Sequence, residues 1–458
     1  MRSGGLCASL TADSVDELFS ANIAGADYIE VRLDHLKDPR QAEHARWDRF
    51  PVPVIATCRG VDRGGRFPGS ISEEAKILDT AVANGAKFVD IDYQHARKFG
   101  AAEVIASYHN FDHTPPDLDS IIEQACAGSA QIAKVATHVN RWADNRRIFE
   151  ALSRKWDKPL IATGMGELGQ ITRIAGPSRG GFLSYAFSTR ESAPGQISLK
   201  EMLDVYKFRR VTKSTKLLGV LGMPVAHSKS PVLHNRAFEK SRLDFVYMKF
   251  PANDLDDFFE NAPHCGIEGF SVTIPHKVAI IPFLARLGQE ASKIGAVNTV
   301  SRAPDGWVGD NTDIYGARTA LRSAGFKPAG MKVIILGRGG GAKAAEAAVE
   351  GAAEVIRLSR ADDMKSNTFD CDLLINATPV GMFPNVDESL AEGKIDASVV
   401  FDMVYNPPVT KLLRDAESQG KTIIRGGIML AAQAARQFEI WTGRPAPAEV
   451  YVPDWSDE

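Results

Sequence analysis

The sequence has 458 residues, 44% hydrophobic and 24% charged, with a formal net charge of −3. That length calls for two or three domains, and the near balance of charge argues against a nucleic-acid or polyanion surface. No apolar run reaches the length of a membrane span, so a membrane protein is not expected either. The five cysteines (Cys7, Cys58, Cys126, Cys265 and Cys371) are scattered, odd in number and never spaced Cys-x-x-Cys. Neither a disulfide framework nor a metal site is expected, and a reducing cytoplasm fits best. Residues 1–5 lack the apolar stretch of a secretory leader.

From the start to about residue 210, short apolar runs alternate with longer amphipathic stretches. Strands are predicted at 6–9, 28–32, 54–57, 88–92, 103–107, 131–135, 160–163 and 182–185. Helix-like segments such as 14–24, 72–84, 117–127 and 141–155 lie between them. Eight such units in this length favour a closed (β/α)8 barrel over an open doubly wound sheet. A polar, basic stretch at 207–216 breaks the pattern and is read as a solvated domain link. A fresh strand begins at 217–222, and a second alternation runs to about Phe326. A third begins at Met331 with an apolar strand and a glycine cluster. The last helical segment, 429–442, is expected to pack back on an earlier part.

In a barrel the reacting groups project from the C-terminal ends of the strands. Glu30 and Arg32 end the second predicted strand, Arg59 follows the third, Asp92 ends the fourth and His109 follows the fifth. Asp92 reads equally well as a structural acid. Lys134 lies inside the apolar sixth strand, where an ammonium is costly unless it is paired or neutral. Desolvation favours the neutral amine, a nucleophile toward carbonyls, and a nearby histidine is the natural proton shuttle for an imine.

These residues resemble the type I 3-dehydroquinate dehydratases over essentially all of the first 210 residues. The likeness rests on Glu30-Val31-Arg32, Thr57-Cys58-Arg59 with Gly64-Gly65, Ser107-Tyr108-His109-Asn110-Phe111, Lys134, Ile171-Thr172-Arg173-Ile174-Ala175-Gly176 and Ser192-Ala193-Pro194-Gly195-Gln196. The resemblance implies that Lys134 forms a Schiff base with the substrate ketone. His109 would move the proton on the adjacent carbon and protonate the departing hydroxyl. Arg173 would hold the carboxylate, and Glu30, Arg32, Arg59, Ser192 and Gln196 would orient the ring. One position departs from the pattern: Arg63 stands where the family commonly has a glutamate paired with the histidine. Either Asp62 takes that role after a small loop shift, or another group sets the tautomer of His109.

In the second half, the strand Val333-Ile334-Ile335-Leu336 runs into Gly337-Arg338-Gly339-Gly340-Gly341-Ala342 and an alanine-rich helix. Glycines permit the tight turn and the close approach of a pyrophosphate to a helix N-terminus. The next strand ends in Ser359-Arg360, and an arginine there suits the extra phosphate of NADP. The surrounding motifs resemble the shikimate dehydrogenases over nearly all of 217–458. They are Ser228-Lys229-Ser230-Pro231, Ser271-Val272-Thr273-Ile274-Pro275-His276-Lys277, Gly295-Ala296-Val297-Asn298-Thr299, Asn311-Thr312-Asp313, Asn376-Ala377-Thr378-Pro379-Val380-Gly381-Met382, and Met429-Leu430 with Gln433. By resemblance, Ser228 and Ser230 bind the substrate carboxylate, Lys277 and Asp313 form the catalytic pair, and Thr273, Asn298 and Gln433 hold ring hydroxyls. Gly337, Gly339, Gly340, Gly341, Ser359, Arg360, Thr378, Gly426 and Met429 would border NADP. Ser271 replaces a common asparagine and Arg338 a usual small residue.

The expected organisation is a dehydratase barrel at 1–212, a substrate-binding lobe at 216–316 with 427–458 packing back, and an NADP-binding Rossmann lobe at 317–426. The expected function is two successive steps, dehydration of 3-dehydroquinate and NADPH-dependent reduction to shikimate, on small-molecule substrates, with the oligomeric state open. Two rival readings are a quinate/shikimate dehydrogenase in the second half and a ligand-binding pseudoenzyme in one half. The Ser228-Lys229-Ser230 pair favours shikimate over quinate, and retention of both Lys134 and Lys277 speaks against a pseudoenzyme.

Overall fold

The structure, a computed structural model, describes residues 4–359, 369–391 and 395–452. The chain divides into two compact units, Met1–Leu218 with Asp244–Ile267, and Gly219–Leu243 with Glu268–Glu458.

Eight strands form the first unit: β1 (Gly5–Leu10), β2 (Tyr28–Arg32), β3 (Val54–Thr57), β4 (Phe88–Asp92), β5 (Glu103–Asn110), β6 (Ile132–His138), β7 (Leu160–Met165) and β8 (Leu183–Phe187). They lie in the order β7-β6-β5-β4-β3-β2-β1-β8. The pairings are parallel. Phe182 N donates to Leu160 O at 2.8 Å, which brings the two ends of the sheet together and nearly closes the barrel. The strands read as continuous apolar runs because helices cover the outer face while side chains fill the inside. Cys7, Ile55, Ile105, Ile132, Ile161 and Tyr185 belong to one buried cluster.

Three expectations change. Helix 14–24 shrinks to Val15–Phe19, because Asn22 Oδ1 accepts from Ala24 N at 3.1 Å and Gly25 turns the chain at φ +84°. A short polar side chain that bonds its own backbone competes with helix. Strand β5 runs on to Asn110, so His109 lies within it rather than beyond it. The segment 207–216 is not a simply solvated link: Phe208 is buried, Arg209 donates to Asp27 at 3.2 Å, and Lys216 already begins a strand. The first unit also takes in the helix Leu255–Asn261, where Asp257 accepts from the N–H groups of Trp142 and Ala143. A carboxylate there satisfies free donors at the start of helix Trp142–Ser153.

The second unit has two sheets. Strands Lys216–Gly222, Ile267–Val272, Thr299–Ala303, Gly306–Asp310 and Arg286–Leu287 lie in that order in one of them. The other is parallel, in the order Glu354–Leu358, Lys332–Leu336, Cys371–Asn376, Ala397–Asp402 and Thr422–Arg425. The chain crosses from one side of Lys332–Leu336 to the other, so a topological switch point, the usual place of a ligand crevice, falls beside that strand. The long helix Gly426–Thr442 packs on helix Asp313–Ser323. A Cβ on Gly316 would lie 2.7 Å from the Met429 carbonyl, so the contact needs glycine. No helix of the described residues is long and apolar enough to cross a membrane. All five cysteines are free and buried.

Candidate active sites

Inside the barrel mouth, strand alternation turns Asp90, Ser107 and Lys134 inward. Lys134 Nζ is 2.7 Å from Asp90 Oδ2 and 3.8 Å from Glu30 Oε1. Its ammonium also lies 4.2 Å from the centre of the Tyr185 ring. The lysine is therefore buried and paired, one of the two conditions under which an apolar strand tolerates it. Asp90 also accepts from Arg59 Nη2 at 2.6 Å and from Ser107 Oγ at 2.6 Å. Burial works against this carboxylate, but Lys134, Arg59 and His109 hold its pKa below the ordinary value. Glu30 accepts from Ser9 Oγ at 2.8 Å and Thr57 Oγ1 at 2.9 Å.

His109 lies on the same cavity as Lys134, Glu30, Arg59 and Arg173. Burial, with Arg59 and Lys134 nearby, holds its pKa well below the ordinary imidazole value. A neutral ring is one that can accept a proton. Its Nδ1 is buried with no hydrogen-bond partner among the described residues. Asp62 does not take the role considered for it: its side chain is 73% exposed and pairs with Arg63 at 3.4 Å. Arg63 turns instead to Glu74, at 2.6 Å.

Arg173 is a buried guanidinium whose Nε has no partner among the described residues. Burial lowers its pKa to about 10 against the pull of Glu191, which leaves it a full cation at neutral pH. Such a group is prepared for a carboxylate. Arg32 is engaged differently, in a two-bond pair with Asp34 at 3.0 and 2.8 Å. Ser192 and Gln196 shape the loop after β8: Gln196 Oε1 accepts from Ser192 N at 2.8 Å, and Ser192 Oγ is 3.0 Å from Ser9 Oγ. Pro194 O accepts from Gly166 N at 3.0 Å, tying that loop to the one after β7.

In the second unit, Lys277 Nζ donates to Asp313 Oδ2 at 2.5 Å. Asp313 begins a helix, where a negative charge is favourable. Its other oxygen accepts from Asn298 Nδ2 at 2.8 Å. Asn298 Oδ1 accepts from Thr299 Oγ1 and Thr312 N, and Gln433 Oε1 lies 3.4 Å from Asn298 Nδ2. Lys277, Asp313, Asn298 and Gln433 thus converge. Ser271 Oγ donates to Gln437 Oε1 at 2.9 Å, while Gln437 Nε2 donates to the Asn298 carbonyl. Thr273 is half-buried, with its N–H bonded to Leu221 O. Ser230 N donates to Ser228 Oγ at 3.3 Å at the start of helix Ser230–Lys240.

The glycine turn follows strand Lys332–Leu336 at the switch point. Gly337 has φ +122°, and Gly339 is the extended N-cap of helix Gly340–Ala348. A Cβ on Gly339 would meet nothing within 4 Å, so the helix N-terminus is open to a ligand. Gly340 abuts Lys277, with 3.0 Å between a Cβ on the glycine and the lysine Cβ, and Thr378 is next to Gly337. Gly341 follows in the first turn. Arg338 is exposed. Gly426 packs on the backbone of Met403 and Val404, and Met429 is buried in the lobe's core. Ser359 ends the described part of that segment, and Arg360 lies outside the described residues. The residues present form an anion cradle that fits a dinucleotide pyrophosphate.

Sequence reading missed Asp90, Ser9, Asp34, Glu74 and Asp402, and named Asn376 in a motif without giving it a role. Asn376 Nδ2 donates to Asp402 Oδ1 at 2.9 Å and Asn376 Oδ1 accepts from Thr378 N, so the pair fixes the Thr378 turn. Parity could not single out Asp90, since Asp90 and Asp92 share a strand face and only the fold shows which of them is buried.

Residues 6–213 match the type I 3-dehydroquinase family. Residues 220–300 match the shikimate dehydrogenase substrate binding domain and 429–450 the shikimate 5'-dehydrogenase C-terminal domain. A shikimate dehydrogenase (NADP(+)) of Methanopyrus kandleri is 40% identical, covering 52% of this chain and 94% of that protein. A crystal structure of a shikimate dehydrogenase in complex with NADP+ covers 52% of this chain and 94% of its own, at 35% identity and TM-score 0.49. The chloroplastic bifunctional 3-dehydroquinate dehydratase/shikimate dehydrogenase of Arabidopsis thaliana is 36% identical over 97% of this chain and 83% of that protein. Likeness on that scale across both units means that the chain belongs to the family of bifunctional 3-dehydroquinate dehydratase/shikimate dehydrogenases.

Proposed function

We propose that the barrel converts 3-dehydroquinate to 3-dehydroshikimate and that the second unit reduces this product to shikimate with NADPH. The observation that carries the first step is one cavity holding Lys134, neutral His109 and the buried Arg173 cation. The lysine amine attacks the ring ketone, and loss of water leaves an imine. Arg173 holds the substrate carboxylate, which fixes the ring relative to both reacting groups. The imine draws electrons from the adjacent carbon, His109 accepts its proton, the same ring then protonates the departing hydroxyl, and water hydrolyses the product imine to release the ketone and restore the Lys134 amine. Asp90 positions the lysine and Arg59. Glu30, Arg32, Arg59, Ser192 and Gln196 wall the ring.

In the second step the hydride for the ketone carbon would come from NADPH held in the second unit. The holders of NADPH are the cradle of Gly337, Gly339, Gly340 and Gly341 with Thr378, Ser359, Gly426 and Met429 around it, and Arg360 is assigned the extra phosphate. Lys277 donates a proton to the ketone oxygen, and Asp313 keeps the amine aimed. Ser228 and Ser230 take the carboxylate, and Thr273, Asn298 and Gln433 take the hydroxyls. Residues 1–212 would carry the dehydratase, 216–316 with 427–458 the substrate lobe and 317–426 the cofactor lobe. Five free, buried cysteines support a cytoplasmic setting.

The test is to give the purified chain 3-dehydroquinate alone and then with NADPH. Ultraviolet absorbance of the conjugated enone should appear first and NADPH should be consumed after. No enone from 3-dehydroquinate would refute the dehydratase. No NADPH loss with supplied 3-dehydroshikimate would refute the reductase.

A further inference from the structure

We propose that Glu74 is a positioning residue for the dehydration, acting through Arg63 and the Gly64 turn to hold the ring of His109 in place. The inference deepens the dehydratase reading above and rests on it. The loop after β3 is compact. Gly65 N donates to Gly60 O at 2.9 Å, Val61 N to Phe67 O at 3.0 Å and Phe67 N to Arg59 O at 3.0 Å. Its tip, Gly64, has φ +77° and lies flat on Phe111: a Cβ there would stand 2.0 Å from Phe111 Cε2 and 2.4 Å from Cζ. The Phe111 ring in turn stacks on His109, centroids 6.2 Å apart and planes at 18°. His109 Nδ1 has no hydrogen-bond partner among the described residues, so packing holds this ring where a polar anchor is missing.

Among the described residues two side-chain contacts tie this loop to the scaffold: Asp34 Oδ2 accepts from Arg66 N at 3.1 Å, and Arg63, next to the tip, reaches Glu74. Arg63 Nη2 donates to Glu74 Oε2 at 2.6 Å, and Glu74 is rooted in the first turn of helix Ile71–Ala83. Glu74 is 2% exposed, an unusual place for a carboxylate unless it has a function or a partner. A surface pair would be worth little, but here the arginine is largely enclosed and the glutamate fully so. The line Glu74, Arg63, Gly64, Phe111, His109 is continuous contact from a rigid helix to the reacting imidazole. Lys134 is held by a separate set, Asp90 and Glu30.

That separation makes the proposal testable. Borohydride trapping of the imine on Lys134 counts competent dehydratase sites, and NADPH-linked reduction on the same chain reports an intact second unit. Glu74→Gln and Arg63→Gln should each lower kcat for dehydration per trapped site by about 10- to 100-fold, the cost of a misplaced reacting group. KM should stay within about twofold, and the double variant should lose no more than either single one. Unchanged kcat per trapped site in both single variants, in an active wild-type enzyme, would overturn the positioning role and leave the dehydratase intact. A wild-type chain that neither traps nor dehydrates 3-dehydroquinate would overturn the dehydratase reading itself and this inference with it.

Discussion

Asp90→Asn isolates the charge at the centre of the barrel site while keeping its shape. Asp90 is fully buried and bonds Lys134 at 2.7 Å and Arg59 at 2.6 Å. At 2.7 Å and an effective dielectric of about 20, one such pair is worth about 6 kcal/mol before desolvation. Removing one partner of a buried pair costs about 3–5 kcal/mol net, because the remaining charge is left uncompensated. Glu30, 3.8 Å from Lys134, offsets part of that loss. The expected destabilisation of the barrel is therefore about 3 kcal/mol, the low end of the range. With a urea slope of about 3 kcal/mol per molar for a unit of this size, the midpoint should fall by about 1 M. The two activities can be followed separately in urea. Dehydration should fail about 1 M earlier in the variant, and NADPH-linked reduction should fail where it does in the wild type. A shift under about 0.3 M would mean that Asp90 is not the counter-ion of two buried cations.

Lys134→Ala should bring dehydration to background and spare reduction. Lys277→Ala should slow reduction by about 10²- to 10⁴-fold, the range for loss of a positioned proton donor, and spare dehydration. Both are read by feeding each substrate separately, and a lysine variant that loses both activities would contradict the assignment. Gly195→Ala places a Cβ 2.3 Å from Gly166 O at a residue with φ +71°. It should displace the loop after β8 and raise KM for 3-dehydroquinate at least about tenfold with reduction unchanged, and an unchanged KM would show that this loop does not contact substrate. His234 is wholly buried, and burial lowers its pKa to about 3. That folded value lies below the unfolded value of about 6.5, so the neutral ring's contribution is complete above pH 6.5 and is lost as pH falls. Between pH 7 and 5 the second unit should lose about 2 kcal/mol to this group. His234→Gln should remove that increment, seen as a smaller pH dependence of the urea midpoint for reduction.

The barrel was legible because its strands are short apolar runs at regular spacing, and β2, β3 and β4 fall where the pattern puts them. Lys134 was legible because a charged group in such a run demands a reason and His109 because it falls at a strand end, whereas Arg173, on helix Gln170–Ala175, was reached only through the family resemblance. Asp90 was not: Phe88-Val89-Asp90-Ile91-Asp92 offers two acids on one face, and depth along the barrel axis leaves no mark on the pattern. Asp92 drew attention and is only a cap, accepting from Gln94 N at 3.0 Å. Glu74 was hidden for a different reason. In Ser70-Ile71-Ser72-Glu73-Glu74 it reads as an ordinary acidic first turn, and its neighbour Glu73 does close a capping box. Only the tertiary fold brings Arg63 onto it. The same holds for Asn376 and Asp402, which end neighbouring strands and meet through the sheet register.

The two units answer a common problem in parallel ways. In each, a position departs from its family's pattern close to the reacting lysine or histidine, and in each a helix supplies the answering group. Arg63 is met by Glu74 from helix Ile71–Ala83. Ser271 is met by Gln437 from helix Gly426–Thr442, which also holds the Asn298 carbonyl. Neither answering residue reaches the reacting atoms. Each instead restores the order of the residue that does, His109 in one unit and Asn298, with Asp313 behind it, in the other. A helix is the element suited to this, because its backbone is satisfied internally and its side chains keep fixed directions. It follows that tolerance to change near these sites depends on the facing helix positions, and that exchanging Arg63 alone for a glutamate sets a like charge against Glu74 in place of its partner.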